Sequence, residues 1–357
     1  MVGPDGPVTH VLGRRSGSGP KAQLGTFLAR DGSDGAAVGL DLEYPHVGLL
    51  TGKRGSGKSH TLGVIGEGLA SANGVTGVII DPMGVFAGLA RDGSARLVTD
   101  PAIPPGALEP RHWCELLDLD PAGAAGALLW RAATAADTLD GMREGAEHSQ
   151  APRETVQAVR NHLTLAARWG VFSPDGLTTD ELLDPAVTVI DASSLGPRAL
   201  AALTAAVARG LYDTAVGRDL DRLPWLLVDE AHAVVDTVAE PALRTIVTRG
   251  RQPGVSLVLG TQRPAAIPEV AISQADLVLS HRLTATADLE ALAAARPTYM
   301  DESILERMPD GLGEAVVIDD ATETAVTVQV RDRRTPHGGA SARASLQSKS
   351  IGENRMA

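Results

Sequence analysis

Gly52-Lys53-Arg54-Gly55-Ser56-Gly57-Lys58-Ser59 has the spacing G-x-x-x-x-G-K-S. Its glycines let the backbone take turn conformations that a Cβ obstructs. Successive amide N–H groups can then point inward around phosphate oxygens at the start of a helix. In that chemistry Lys58 reaches the terminal phosphates and the Ser59 hydroxyl is a ligand for Mg²⁺. The ordinary alternative is a Gly-rich surface turn, and the flanks separate the two. An apolar run, His46 to Thr51, comes before, and a helix-like stretch, His60 to Ile65, comes after. Strand, turn and helix start are the context a phosphate-binding loop requires. Gly52, Lys53, Arg54, Gly55, Ser56, Gly57, Lys58, Ser59 and the following His60 are therefore the expected nucleotide-contacting residues, with ATP and Mg²⁺ as the implied ligands.

Two more stretches carry compatible chemistry. Leu226-Leu227-Val228 is an apolar run ending in Asp229-Glu230. On a strand beside the loop, Asp229 would share Mg²⁺ with Ser59, and Glu230 would orient and activate an attacking water. Alone, an Asp-Glu pair is more often a solvated strand end; the upstream loop changes the balance. Val255 to Gly260 is a second apolar run, ending in Thr261-Gln262. An amide there can hydrogen-bond the γ-phosphate or the water and so report which nucleotide is bound. Arg249 and Arg251 lie between these two strands in sequence. Either could neutralise charge during phosphoryl transfer, often from a neighbouring subunit, as could Arg244, Arg263 or Arg282. A solvated basic helix end is the plain reading of each.

These groups need elements to hold them. Val75 to Asp81, Val187 to Asp191, Leu223 to Val228, Val255 to Gly260 and Asp276 to Arg282 read as buried strands. They alternate with helical stretches, Arg198 to Val216 and Glu240 to Arg249, so an α/β core with a mostly parallel sheet is expected. Asp81-Pro82-Met83-Gly84 ends its strand in a polar turn on the edge that faces ligand in open α/β sheets. Residues 41–84 and 184–334 form the expected core, interrupted by a helical insertion at 85–183. In that insertion Val156, Val159, Leu163, Ala166 and Ala167 have helical spacing, and Gly141 to Pro152 reads as a polar connector. Residues 1–40 read as a short N-terminal extension with strands at Val8 to Leu12 and Gln23 to Leu28. Ala315 to Asp319 and Ala325 to Arg331 form a closing C-terminal β-hairpin. Residues 335–357 lack periodicity and read as a disordered tail.

Composition bounds the function. Hydrophobic residues make up 43% of the 357, enough for a large core, but aromatics only 3%. The single cysteine, Cys114, excludes an internal disulfide framework or a cysteine-rich metal site. No apolar run reaches membrane-span length and no leader-like segment opens the chain, so no membrane association and a cytoplasmic location are expected. The net charge of −12, with few lysines, resembles the halophilic composition of salt-loving organisms. It argues against a broad nucleic-acid-binding face at low salt and leaves room for a local arginine-lined channel.

Taken in order, Gly52 to Ser59, Ile80-Asp81-Pro82-Met83-Gly84, Leu226 to His232, Arg249-Gly250-Arg251-Gln252-Pro253-Gly254 and Gly260-Thr261-Gln262-Arg263-Pro264 resemble the motif set of the HerA/FtsK superfamily of P-loop ATPases. The resemblance covers roughly residues 40 to 331 and is nearest the HerA-like branch. It implies a RecA-like core, a homo-oligomer that is usually a hexamer, and ATP hydrolysis coupled to moving double-stranded DNA, as in a translocase or helicase. Three departures stand out: Val85 follows the turn where the family often has Glu, an N-terminal β-barrel is not evident, and the family's long C-terminal brace is expected to be short or missing. A nucleotide-dependent switch or assembly ATPase, meeting a protein partner through the helical insertion, is the alternative from another class. A non-hydrolysing binder would need neither Glu230 nor Gln262.

Overall fold

Continuous aliphatic and β-branched runs bury both faces of a strand, and parallel strands covered by helices have that composition. In a computed structural model, which describes residues 8–29, 31–91, 93–294 and 307–338, those runs form the centre of one sheet. In chain order come β1 (His10–Leu12), β2 (Lys21–Leu28), β3 (Asp34–Asp41), β4 (Val47–Thr51), α1 (Lys58–Ser71), β5 (Val75–Asp81) and β6 (Arg96–Val98). Five helices follow: α2 (Pro110–Leu116), α3 (Ala124–Ala135), α4 (Leu139–Glu147), α5 (Arg153–Ala167) and α6 (Thr179–Leu183). The chain then alternates through β7 (Val187–Asp191), α7 (Pro197–Gly217), β8 (Leu223–Val228), α8 (Glu240–Arg249), β9 (Ser256–Thr261), α9 (Glu269–Ser273), β10 (Leu277–Ser280) and α10 (Thr286–Ala294). It closes on the hairpin β11 (Glu314–Asp319) and β12 (Thr324–Val330).

Among the described residues the sheet has 12 strands in the order β1-β3-β2-β12-β11-β10-β4-β9-β8-β5-β7-β6. From β10 to β6 every pairing is parallel. From β10 through β11, β12 and β2 to β3 every pairing is antiparallel. Side chains alternate between the two faces. Leu49, Val78, Ile80, Leu226, Val228, Leu257 and Leu259 pack with α2 to α5, α7 and α8. Leu50, Ile79, Trp225, Leu227 and Val258 pack with α1 and the N-terminal strands.

The sequence of α1 is a poor helix by propensity, with Gly63, Gly66 and Gly68 in its interior. Tertiary packing explains it. A Cβ at Gly68 would lie 2.2 Å from the Cβ of Ala22 on β2, and one at Gly63 would lie 2.6 Å from the Arg333 guanidinium carbon. Glu67, between them, is buried and holds Arg331 at 2.7 Å and the Thr335 amide at 2.8 Å. At the other end of β4 a second charged cluster fastens β3 to the core. His46 bonds Asp276 at 2.8 Å and Asp41 at 3.0 Å, and Asp41 also pairs with Arg14.

Four expectations are corrected. The boundary expected at 40/41 falls inside β3, while the strand expected at Gln23 to Leu28 does lie on the core as β2, which pairs with β12 and packs on α1. In β3, Gly35, Ala36, Ala37 and Gly39 have weak strand propensity, and pairing with β2 makes it a strand. The segment 85–183 is not wholly helical, since β6 joins the sheet edge beside β7. The connector read at Gly141 to Pro152 is mostly α4, whose Leu139, Met142 and Ala146 are buried and whose Thr138 caps Gly141 at 3.1 Å. Finally, the tail assigned as disordered from 335 is ordered as far as Gly338, which donates to the Val85 carbonyl at 3.2 Å. Residues 339–357 lie outside the described residues.

Candidate nucleotide-hydrolysis site

The C-terminal ends of β4, β5, β8 and β9 lie side by side, since Thr51 pairs with Thr261, Leu227 with Ile79, and Val228 with Leu259. This edge gathers the residues that the sequence separates by two hundred positions. The loop leaves β4 at Thr51 and turns into α1 through Gly57, whose φ of 120° is open to glycine alone without strain. Its tip is held locally: Ser56 Oγ donates to the Lys53 carbonyl at 2.8 Å. From outside, the Lys53 amide donates to the Arg282 carbonyl at 2.9 Å. The amides of Lys58, Ser59 and His60, which open α1, have no preceding turn to bond and carry the positive end of the helix dipole.

Lys58, Ser59, Asp229 and Glu230 form one hydrogen-bonded group. Lys58 Nζ lies 2.5 Å from Asp229 Oδ1 and 3.0 Å from Glu230 Oε1. Ser59 Oγ donates to Asp229 Oδ2 at 2.8 Å. Asp229 is fully buried, with its charge met by Lys58, Ser59 and the Glu230 amide at 2.9 Å. A hydroxyl and a carboxylate side by side are hard oxygen donors of the type Mg²⁺ takes, so the pair fits that ion. Glu230 stands at φ 50°, ψ 41°, the left-handed region that a non-glycine residue rarely occupies. The turn aims two consecutive carboxylates at the same loop, which an extended strand would send to opposite faces.

His232, in sequence a structural neighbour of the acids and not a base, stands beside this group. Its Nδ1 lies 3.3 Å from Glu230 Oε2 and 3.3 Å from Thr261 Oγ1, and burial pushes its pKa down. It hydrogen-bonds the end of β9 at Thr261 and stands beside Glu230 without bonding it; Gln262 follows Thr261, half-buried. Asp81 also reaches this edge but shapes its own turn. Its carboxylate accepts from Met83 N at 3.2 Å and Phe86 N at 2.8 Å, and burial raises its pKa, with Asp229 adding to the effect. His60 is turned along α1, with its ring 2.8 Å from the Arg331 carbonyl.

Arg249 and Arg251 are not brought to this group. Both are exposed, at the end of α8 and in the turn that leads into β9, whose first residues pair with the far end of β4 (Leu257 with Val47). The length of β9, roughly 20 Å, separates them from the loop of their own chain.

The family model described as helicase HerA, central domain (DUF87) matches residues 22–201, just over half of the 357. The chain belongs to this HerA family. The match spans the phosphate loop and the Asp81 turn and ends before Asp229. No curated protein matches the chain. Among solved structures, VirB4 of Thermoanaerobacter pseudethanolicus superposes with a TM-score of 0.69 at 18% identity, over 90% of this chain and 98% of that one. The bacterial conjugative coupling protein TrwBΔN70 gives 0.58 at 14% identity, covering 90% and 99%. TrwB in complex with the GTP analogue GDPNP gives 0.58 at 15%, covering 90% and 98%. These likenesses carry the HerA-family fold across the second half of the chain: an α/β, RecA-like P-loop ATPase fold of the HerA/FtsK superfamily. One family departure has a local explanation. Val85 packs with Phe86 and Leu89 in the core face of α1, and its carbonyl accepts from Gly338. No helix among the described residues is long and apolar enough to cross a membrane.

Proposed function

We propose that this HerA-family chain is a Mg²⁺-dependent ATPase that assembles into a ring, six-membered by family precedent, and moves or remodels double-stranded DNA. The observation that carries the hydrolytic part is the closed group Lys58, Ser59, Asp229 and Glu230 at one sheet edge. In it the amides of Gly52 to His60 cradle phosphate oxygens, and Lys58 exchanges its carboxylate partners for the β- and γ-phosphates. Ser59 and Asp229 hold Mg²⁺, which supplies charge neutralisation at the phosphates. Glu230 is the base that aligns and deprotonates the attacking water, and Gln262 senses the γ-phosphate. Arg249 or Arg251 acts on a neighbouring subunit, since each is exposed at the opposite edge of its own. That placement supports the oligomeric reading. The TrwB complex with GDPNP supports nucleotide occupancy of this fold. The acidic surface suits work in high salt, and the location is cytoplasmic.

The test is ATP turnover in molar salt with and without duplex DNA, comparing wild type with Glu230→Gln. Stimulation by duplex, lost in the variant, is expected; turnover indifferent to short and long duplexes overturns the motor reading and leaves the ATPase. Mixing Arg251→Ala with Lys58→Ala subunits is expected to restore part of the turnover each lacks alone. One observation favours the second reading, a switch acting on a protein: Trp130 and Leu165 stand 40% and 45% exposed on the helical insertion. Sedimentation separates the two, with an ATP-dependent ring expected for the motor and a monomer or dimer for the switch.

A further inference from the structure

Beneath the phosphate loop lies a histidine that the roles above leave unused. His281 follows β10 directly and is fully buried. Its amide donates to the Thr51 carbonyl at 2.9 Å, extending the β10–β4 ladder to the mouth of the loop. Its ring crosses under the loop. Nδ1 lies 2.7 Å from the Glu314 carbonyl at the start of β11, and Nε2 lies 2.8 Å from Thr61 Oγ1 in the first turn of α1. A carbonyl only accepts, so Nδ1 carries the hydrogen and Nε2 accepts from the Thr61 hydroxyl. Burial pushes the ring pKa down to about 4, and the charges of His60 and Lys58 act in the same direction.

The ring also sets the space the loop can occupy. A Cβ on Gly52 would lie 2.7 Å from His281 Cβ, and one on Gly57 would lie 3.2 Å from His281 Cε1. Gly313, just before β11, donates to the Ser56 carbonyl at 3.3 Å and closes the same side. The first and last glycines of the motif thus face one imidazole.

We propose that His281 is a positioning residue for phosphate binding. It ties the first turn of α1, through Thr61, to the start of β11, through the Glu314 carbonyl, and so holds the amides of the loop in register with the phosphate oxygens. The inference rests on reading Gly52 to Ser59 as the phosphate cradle. A neutral ring performs this task beside Lys58 without placing a second cation under the loop. An aliphatic side chain of similar size would leave the Thr61 hydroxyl and the Glu314 carbonyl buried without partners, which is costly for both.

The experiment is equilibrium binding of ADP and of ATP with Mg²⁺ to the full chain, with thermal melting measured in parallel. The variants are His281→Leu, Thr61→Val, the double variant, and His281→Asn. His281→Leu and Thr61→Val are each expected to weaken nucleotide binding by about tenfold, the scale of one lost buried hydrogen bond. The double variant is expected to bind no worse than the weaker single one, because the same link is broken once. His281→Asn, whose amide can still donate to Glu314, is expected to recover part of the affinity. A ring that only fills space gives a different result: variants that melt early but bind ADP as wild type does, which overturns the proposal. If His281→Leu does not fold, Thr61→Val decides, and unchanged affinity in that near-isosteric variant overturns it equally. Wild type that binds neither nucleotide overturns the cradle reading together with this inference.

Discussion

A buried histidine stands beside each end of β4, His46 just before it and His281 from the end of β10, and one ring is protonated while the other is neutral. At the N-terminal end His46 sits between the carboxylates of Asp276 and Asp41. Burial alone would lower its pKa, but the two carboxylates outweigh burial and lift it to about 9. At the C-terminal end His281 sits between a hydroxyl and a carbonyl, and burial takes it to about 4. Depth is nearly the same, so partner chemistry decides the difference. The N-terminal end is a fastening: Arg14, Asp41, His46 and Asp276 neutralise one another and join β3 to the core. The loop end already has its cation, Lys58, and its carboxylates, Asp229 and Glu230, and these are arranged to exchange partners when phosphate arrives. A fixed imidazolium there would add a second cation beside Lys58, whose charge already acts against protonation of the ring.

If that division is right, the two ends fail differently when mutated. Glu230→Gln at the loop end is expected to lower ATP turnover by about 100- to 10,000-fold while the thermal midpoint stays near wild type. A variant that lost turnover only in proportion to its stability would break the comparison, and a single melting and turnover series reads both. Arg331→Ala, on the back of α1, leaves Glu67 buried without its closest cation and is expected to cost about 3–5 kcal/mol by denaturant titration. The His46 cluster gives a pH signature. A pKa raised from about 6.5 in the unfolded chain to about 9 stabilises fully below pH 6.5 and loses that contribution as pH rises through 9. The fall is expected to be roughly 3 kcal/mol, and His46→Leu should flatten the slope over that window while sparing turnover per folded molecule. Denaturant midpoints between pH 6 and 10 decide it. Smallest is Thr178→Ala, which removes a capping box remote from both ends: about 1 kcal/mol of stability and no change in nucleotide affinity, by melting and ADP binding together.

Local signals made much of this legible. The loop, the apolar strands ending in Asp229-Glu230 and Thr261-Gln262, and the helical spacing of α5 are patterns within a few residues, set by backbone geometry and period. The missed elements depend on distant partners. β3 and β6 are strands because β2 and β7 pair with them, and α4 hides its buried Leu139, Met142 and Ala146 among glycines and charges. Thr335 to Gly338 lack any periodic pattern, and their order comes from Glu67 and Val85 on elements far back in the chain.

The sequence alone determined which chemistry is present: a glycine-rich loop with Lys58 and Ser59, two strand-end acids and an amide, in an order that specifies an α/β core and the HerA/FtsK family. Tertiary structure alone decided their mutual placement. It put Lys58 against Asp229 and Glu230, sent Arg249 and Arg251 to the opposite edge, and made His46 a cation and His281 a neutral ring. The physical reason is that residue type and local period are carried by neighbours in the chain. Burial, pairing and pKa are carried by neighbours in space, and here those lie up to about three hundred positions away, as Gly13 and Asp319 do at 2.9 Å.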